Sequence, residues 1–300
     1  MKQAAGILIA MLASAPGAAL AQEQVLTKEY DNGGVYEGTF VDGRQHGRGT
    51  YRLPSGYAYT GEWVEGRIEG EGRASFPNGS VYVGRFLAGQ PDGKGKITYA
   101  DGGSYEGDWK EGRIEGQGIA LYANGARYEG AFAAGKQAGE GTLTEPGGAS
   151  YTGSWVDGVK QGKGRITYPD GAVYEGDMAA GQPEGRGKLT TADGTTYEGG
   201  WKAGRFDGDG VLVQANGDRY EGAFVAGRRE GLGRATSAAG DVYDGGFVAD
   251  QRSGAGTLSA ADGFRYTGGW AEGRFEGEGK ATYPDGSVYE GAFKAGLPDG

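Results

Sequence analysis

Apolar and polar residues alternate along most of the chain, and turn dipeptides interrupt the alternation at regular intervals. Residues 59–63, Tyr-Thr-Gly-Glu-Trp, show the pattern, with tyrosine, glycine and tryptophan at alternate positions and polar residues between them. Successive side chains of a β-strand point to opposite faces, so this period of two is typical of a strand rather than a helix. The pattern therefore predicts a strand with one aromatic face and one polar face.

A second alternating run follows each such strand, and glycine-containing turns lie on both sides of it. Residues 95–99, Gly-Lys-Ile-Thr-Tyr, are one example of this run. Glu65-Gly66 is a turn before such a run, and Pro77-Asn78-Gly79 is a turn after one. Proline fixes one backbone angle of a tight turn, and glycine accepts the positive φ that the chain reversal requires. Each pair of strands is therefore predicted to form a β-hairpin.

The hairpin pattern recurs every 23 residues without insertion or deletion. We number the positions of each copy as slots, and its leading tyrosine is slot 1. These tyrosines are Tyr36, Tyr59, Tyr82, Tyr105, Tyr128, Tyr151, Tyr174, Tyr197, Tyr220, Tyr243, Tyr266 and Tyr289. Repeats of this length stack so that each unit contacts mainly its neighbours, whereas a lone hairpin is unstable. The chain is therefore predicted to be all-β, an elongated single-layer antiparallel sheet of stacked β-hairpins.

Glycine makes up 66 of the 300 residues, and most glycines keep fixed slots beside the aromatic residues. A glycine two positions from a tyrosine leaves bare backbone on which a ring can lie flat. The rings also have binding potential, because they offer a large contact area at low entropic cost. Two interpretations stay open: the rings pack against glycine within the sheet, or they line a groove for a peptide, a glycan or a second copy. The candidate binding residues are Tyr59, Trp63, Tyr105, Trp109, Tyr151, Trp155, Tyr197, Trp201, Tyr266 and Trp270.

A weaker period of two copies overlies the first. Tryptophan and phenylalanine alternate in slot 5 of the early copies, which indicates a packing unit of two hairpins. Met178 then takes a phenylalanine place, and the consecutive phenylalanines Phe224 and Phe247 break the alternation. Asp250 replaces the turn glycine in the copy that breaks the pattern.

Residues 1–21 have the features of a secretory signal peptide. Lys2 is followed by a mostly apolar run over residues 4–13, and an Ala-Leu-Ala cleavage site precedes Gln22. The apolar run is too short for a membrane-spanning helix of about 20 residues. The chain contains no cysteine, so the exported protein has neither a disulfide nor a cysteine for lipid attachment. We expect a bacterial protein of the periplasm or the external medium.

The rest of the chain divides into two parts. Residues 22–35 match half a repeat, because Tyr30 and Asn32-Gly33 occupy the corresponding late slots, and they are expected to supply one strand at the start of the sheet. Residues 36–300 hold twelve repeats, of which the last is incomplete. Since this copy stops within a hairpin, we expect either that the chain continues into a longer protein or that a partner covers that end.

The charge and the residue types argue against several functions. The formal net charge is −10, and it becomes −11 without Lys2, with 29 basic and 40 acidic residues. A surface of that sign does not attract nucleic acid or anionic lipid through its overall field. His46 is the only histidine, and its slot holds other residue types elsewhere, so a solvated turn residue is favoured over a general base or metal ligand.

Acidic pairs are the remaining candidates for chemistry, for example Glu69 with Glu71 and Asp207 with Asp209. A stacked ladder of carboxylates would suit calcium, but solvated surface residues are the favoured interpretation. The glycine turns lack the following Lys-Ser/Thr and helix of a phosphate-binding loop. No catalytic, cofactor-binding or metal-binding residue is therefore predicted.

The repeated motif Tyr-Glu-Gly-x-Trp/Phe, followed by three spaced glycines and closed by Asp/Asn-Gly, resembles the MORN repeat. The residues that carry it in two clear copies are Tyr36, Glu37, Gly38, Phe40, Gly43, Gly47 and Gly49, and Tyr105, Glu106, Gly107, Trp109, Gly112, Gly116 and Gly118. The copies that depart from the glutamate of slot 2 carry Thr60, Val83, Thr152, Asp244 and Thr267. The resemblance covers residues 30–300 and implies stacked β-hairpins in an elongated, twisted sheet. It also implies one of two roles, since the family was first linked to membranes and phosphoinositides, while other members are scaffolds and dimerisation modules.

Three functions stay open. The favoured one is a non-enzymatic repeat scaffold of the cell envelope that mediates protein–protein interaction or self-association. The first alternative is a peripheral membrane module that binds phospholipid, which follows the history of the family but conflicts with the negative charge. The second is an accessory array of an enzyme whose catalytic domain lies beyond residue 300. A nucleic-acid partner is not expected.

Overall fold

The computed structural model describes residues 25–300, so the predicted signal peptide lies outside the described residues. Within them the chain forms strands and turns and no helix. All 25 strands belong to one open antiparallel sheet, in which each strand pairs with the strands before and after it in the sequence. The predicted all-β fold of stacked hairpins is confirmed.

The copies contribute strands of two lengths, a first strand of seven residues and a second strand of nine. The strands are β1 (Leu26–Glu29), β2 (Val35–Val41), β3 (Arg44–Arg52), β4 (Ala58–Val64), β5 (Arg67–Ser75), β6 (Val81–Leu87), β7 (Gln90–Thr98), β8 (Ser104–Lys110), β9 (Arg113–Leu121), β10 (Arg127–Ala133), β11 (Lys136–Thr144), β12 (Ser150–Val156), β13 (Val159–Thr167), β14 (Val173–Ala179), β15 (Gln182–Thr190), β16 (Thr196–Lys202), β17 (Arg205–Val213), β18 (Arg219–Val225), β19 (Arg228–Thr236), β20 (Val242–Val248), β21 (Gln251–Ser259), β22 (Arg265–Ala271), β23 (Arg274–Thr282), β24 (Val288–Lys294) and β25 (Leu297–Pro298). In the segment interpreted as half a repeat, β1 pairs antiparallel with β2.

Two-residue turns join the strands of each hairpin. Glu65 and Gly66 form one of them, with φ of 49° and 83°. Hairpin turns that match the twist of the strands need positive φ at both central residues. Slot 8 is therefore glycine in nearly every copy, while slot 7 holds an acid or alanine in the left-handed region.

Asp250 is the exception in slot 8, with φ of 73°. Its Oδ1 accepts hydrogen bonds from the backbone N of Arg229 at 2.9 Å and from the Nε of Arg229 at 3.3 Å. The carbonyl of Asp250 accepts a further bond from a terminal nitrogen of the same guanidinium at 2.8 Å. Aspartate tolerates positive φ better than most residues, and these contacts offset the remaining strain.

A bulge lies in the middle of each complete hairpin. Gly61 pairs with Gly72 and Trp63 with Ile68, so the register advances by two residues on β4 and by four on β5. Gly70 lies in the bulge with φ of 69°. The pairing between successive hairpins has no such shift. A bulge bends its strand and increases the local twist. The slot 1 tyrosines from Tyr36 to Tyr266 are at most 3% exposed in this single layer.

Each slot 1 ring lies over a pair of facing glycines. A Cβ atom added to Gly107 would lie 2.5 Å from the carbonyl oxygen of Gln117, from the Cα of Gly118 and from the Oη of Tyr105. Any side chain at Gly107 would therefore meet two backbone atoms and a buried ring at once. The glycine pair is a steric requirement of the core.

We expect Gly107→Ala to lower the free energy of unfolding by about 1–3 kcal/mol, the usual cost of an overpacked core. Gly147 is the matched control, because it has negative φ and its added Cβ meets no atom within 4 Å. Gly147→Ala should change stability by less than about 0.5 kcal/mol. Urea unfolding of both variants checks this, and equal effects of the two substitutions would contradict it.

Candidate functional site

The aromatic residues of slots 1 and 5 form a continuous ladder along the sheet. The ring of Tyr59 meets Trp63 of its own copy at 5.5 Å and Phe86 of the next copy at 5.1 Å, with interplanar angles of 80° and 82°. Such edge-to-face contacts are a favoured geometry for aromatic pairs. The same contacts recur from Tyr36 to Phe293, and Met178 is the one non-aromatic member. The ladder joins every copy to the next one.

The polar atoms of these rings are bonded within the sheet. Each slot 1 hydroxyl donates to the backbone carbonyl of slot 4, as Tyr105 does to Asp108 at 2.9 Å. Each tryptophan Nε1 donates to a glycine carbonyl of the preceding copy, as Trp109 does to Gly95 at 3.1 Å. Buried Tyr and Trp usually need such a partner. The tyrosine hydroxyls and the tryptophan N–H groups therefore have their hydrogen-bond partners within the sheet.

The ten predicted binding residues are all buried, with at most 8% of their surface exposed. They are Tyr59, Trp63, Tyr105, Trp109, Tyr151, Trp155, Tyr197, Trp201, Tyr266 and Trp270. Their contacts include the glycine backbone, one another and the rings of neighbouring copies, as between Tyr59 and Phe86, which favours the packing interpretation. A binding role for these ten residues stays a prediction.

Burial also changes the acidity of the ladder tyrosines. Loss of solvation raises the pKa of Tyr128 and of Tyr151 to about 12, and nearby Glu140 acts in the same direction on both. Loss of solvation likewise raises the pKa of Tyr82 and of Tyr220 to about 12. The phenol groups are held neutral at any physiological pH.

Residues that were considered for acid–base chemistry and then set aside make hydrogen bonds within the sheet. Glu69 Oε1 accepts a hydrogen bond from the backbone N of Ala88, at 3.3 Å, in the turn of the next copy. Asp207 does the same for Ala226 at 3.2 Å. The backbone carbonyl of His46 accepts a hydrogen bond from the Thr39 hydroxyl. Within residues 25–300 no group of three or more acidic or histidine side chains is placed to hold a metal ion.

The slot 11 acids share this contact, which the sequence reasoning missed. Seven of them accept a bond from the slot 7 amide of the following copy: Glu69, Asp92, Glu115, Glu184, Asp207, Glu230 and Glu276. Their signal in the sequence was the recurrence of an acid in slot 11. These carboxylates hold the hairpin turns of neighbouring copies together.

A concave trough lies on the polar face of the sheet. We call it the polar trough; its floor is the backbone of the facing glycines, and its walls are the side chains of slots 2, 13 and 15. One stretch has a volume of about 660 Å³ and is lined by Glu71, Val83, Gly84, Lys94, Gly95, Lys96, Glu106, Gly107, Gln117, Gly118, Ile119, Glu129 and Gly130. Further stretches of about 540 and 600 Å³ lie near β2–β6 and β15–β18. The sequence reasoning missed this surface, although columns of glycine between polar slots were its signal.

Ion pairs line the polar trough. Lys94 lies 2.6 Å from Asp108, and Lys96 lies 3.1 Å from Glu106. Lys94, Lys96 and Glu106 are more than half exposed and Asp108 is 35% exposed, so each pair contributes little to stability. Their alternating charges and the exposed backbone suit an extended polar chain that forms many weak contacts. No helix among the described residues is long and apolar enough to cross a membrane.

Comparison with protein families finds a match along nearly the whole array. The MORN repeat model matches residues 36–56, 59–81, 82–104, 105–127, 128–149, 151–173, 174–196, 197–219, 220–242, 243–265, 266–288 and 289–300. A comparison with curated proteins finds no match.

Solved structures show weak likenesses. The TCP domain of Drosophila melanogaster SAS-4 (dCPAP), in complex with a proline-rich motif of Ana2 (dSTIL), is 19% identical over 51% of this chain and 83% of that chain, with a TM-score of 0.33. The TCP10 domain of Danio rerio CPAP is 16% identical over 81% and 99%, with a TM-score of 0.34. A streptogramin B lyase is 11% identical over 90% and 83%, with a TM-score of 0.15. Likenesses this weak carry no argument about function.

The tyrosine pKa values predict alkaline instability. Below pH 10 the phenols are neutral in both states, so the stability that burial confers is complete. Above that pH the unfolded chain loses these protons first, and stability should fall steeply until about pH 12, the folded pKa of Tyr151. Urea titrations at several pH values, read with phenolate absorbance, check this, and Tyr151→Phe should make the fall less steep. Complete phenolate formation in a still-folded sheet would contradict it.

Proposed function

The chain belongs to the MORN repeat family, and from that premise we propose that it is a non-enzymatic scaffold of the cell envelope. Its partner is another protein or a second copy of the chain. The observation that carries the proposal is the polar trough, which runs over the glycine columns of successive copies. A scaffold needs a long, regular surface that stays available after the core is packed, and the trough has this property.

Backbone and side chains both support an extended peptide as the occupant. The glycines of the floor carry no side chain, so a bound chain can approach their backbone closely. The walls offer charges of both signs, as in the pair Lys96 and Glu106. Complementary charges fix the register of a partner more than they increase its affinity. A polar, extended protein segment is the ligand that fits these properties.

The envelope location rests on residues 1–21 alone. Their pattern of a basic residue, an apolar run and a small-residue cleavage site is that of an exported protein. Fractionation of cells that express the full chain tests this part of the proposal separately from binding.

Cross-linking tests the trough directly. We expect a photoreactive residue in place of Gln117, an exposed trough residue, to give one discrete adduct with a partner protein or a second copy. The matched control is Ala239, an exposed turn residue outside the trough. Sedimentation of the purified chain separates self-association from binding of another protein. A monomer that gives no discrete adduct from Gln117, or equal adducts from both positions, would contradict the proposal.

Phospholipid binding is the competing function, and the charges of the trough argue against it. Lys94 and Lys96 have the carboxylate partners Asp108 and Glu106. Acids stand beside the basic residues in each stretch of the trough, so an anionic surface meets no purely basic cluster there. We expect the full chain to remain unbound when floated with either anionic or zwitterionic liposomes. Salt-sensitive flotation with anionic liposomes alone would make lipid binding the leading function.

A further inference from the structure

The copies that begin at Tyr220 and Tyr243 depart most from the repeat. Slot 10 faces the aromatic ladder and holds Ile, Pro, Phe or Gln in most copies, but it holds Arg229 and Arg252 in these two. The alternation of tryptophan and phenylalanine fails in the same place. A regular array specifies its fold by repetition, so the positions that depart from it are where a function is looked for first.

Arg252 has an unusual environment. Its guanidinium lies 4.9 Å from the ring of Tyr243 and 5.1 Å from the ring of Trp270. Among residues 25–300 no carboxylate lies within 4.0 Å of it, and it makes no side-chain hydrogen bond. Burial lowers the pKa of Arg252 below its ordinary value, although an arginine keeps its charge. Arg229 differs, because Asp250 neutralises it at 3.3 Å.

A cavity lies beside Arg252. In two other copies slot 10 is glutamine, and its amide donates to the tyrosine hydroxyl in slot 18 of the preceding copy, as Gln137 does to Tyr122 at 2.7 Å. Slot 18 of the copy that precedes Arg252 holds Ser237, so no tyrosine lies there. The space has a volume of about 170 Å³. Its lining includes both arginines, the apolar residues Leu212, Tyr220 and Ala235, and polar residues that include Asp218 and Asp241.

Two acids that line this cavity accept hydrogen bonds from backbone amides of neighbouring turns. Asp218 Oδ1 accepts a hydrogen bond from the backbone N of Ala238 at 2.8 Å, and Asp241 Oδ1 accepts one from Ala261 at 2.9 Å. Each bond holds the turn of the following copy. Neither acid lies within 4.0 Å of the Arg252 guanidinium, so no carboxylate of the described residues forms a direct ion pair with it, and the charge of Asp241 acts on it only from a longer distance.

We propose that this cavity, which we call the Arg252 cavity, binds a monovalent carboxylate with a short apolar stem. The guanidinium of Arg252 holds the carboxylate, because its planar donors match the two oxygens. Leu212, Ala235 and Tyr220 contact the stem. A cavity of roughly 150 Å³ accepts one benzene-sized molecule, so the space suits a small acid or the acidic end of a peptide.

A doubly charged phosphate fits less well. Asp218 and Asp241 lie at the rim, and their repulsion grows with the charge of the ligand. The net charge of the whole chain, −10, acts in the same direction. A carboxylate has the smallest charge that neutralises Arg252.

Titration with benzoate tests the proposal on the full chain. The readout is the indole N–H signal of Trp270 in the NMR spectrum, assigned with Trp270→Phe, because this ring contacts Arg252. We expect a saturable shift at millimolar benzoate, no shift with neutral benzamide, and a weaker response to inorganic phosphate. The signal of Trp109, in a distant copy, should not move. An equal response to benzamide, or no saturable response to benzoate, overturns the proposal.

Two variants test separately the charge of Arg252 and the open space of the cavity. Arg252→Gln places in slot 10 the residue that Gln45 and Gln137 already place there, so the fold should tolerate it. We expect it to raise the Kd for benzoate at least about tenfold, since a charge-assisted bond is lost. Ser237→Tyr places a ring in slot 18. It should block the cavity while Arg252 keeps its charge. Lys160→Gln, at the same slot of another copy, is the control and should leave the Kd unchanged.

Binding of short peptides shows whether the carboxylate belongs to a protein terminus or to a free small acid. An acetylated dipeptide that ends in leucine is titrated with a free carboxylate and with an amidated end. Tighter binding of the free-acid peptide than of benzoate indicates a protein terminus, whereas binding of benzoate alone indicates a free small acid. Unchanged benzoate affinity in Arg252→Gln overturns the assignment in either case, and it leaves the trough proposal unaffected.

Discussion

The fold depends on one contact, a tyrosine ring lying over two facing glycines. A single-layer sheet has no second layer to cover its apolar side, so the rings must be covered by the sheet itself. The glycine pair removes the two side chains that would hold a ring away from the backbone, as Gly107 and Gly118 do for Tyr105. The extra entropy that each glycine loses, roughly 0.5–1 kcal/mol, is offset by burial of a ring that becomes almost fully inaccessible.

The second element of stability belongs to no single copy. Tyr59 contacts Trp63 in its own hairpin and Phe86 in the next one, so half of the aromatic contacts cross between copies. The carboxylate of Glu69 crosses in the same direction, from one hairpin to the turn of the next. Nearest-neighbour coupling of this kind is what makes a row of individually unstable hairpins cooperative. At Met178 the ring contacts lapse, while the side chain stays buried in the row.

Spacing along the sequence was enough to predict the strands, the hairpins and the role of glycine, because each of these is decided within one copy. Features that depend on backbone angles or on the alignment of several copies were not predicted. Gly70 reads as an ordinary strand glycine, yet its positive φ marks a bulge within its own hairpin. The polar trough is visible only when the glycine columns of several hairpins are aligned. Alternation predicts one face for the ten candidate aromatic residues, but it does not reveal that neighbouring rings and glycine backbone bury them.

The strictly sequential order of the strands has a mechanical consequence. Interstrand hydrogen bonds run along the long direction of the array, and each strand is held only by the strands before and after it. The chain has no cysteine, so no covalent cross-link spans the hairpins. Tension between two distant hairpins would therefore break the bonds of one strand pair in succession, as in opening a zipper, rather than shear many of them together. Such an array keeps its hairpins at fixed intervals under little load, and it yields strand by strand when it is pulled.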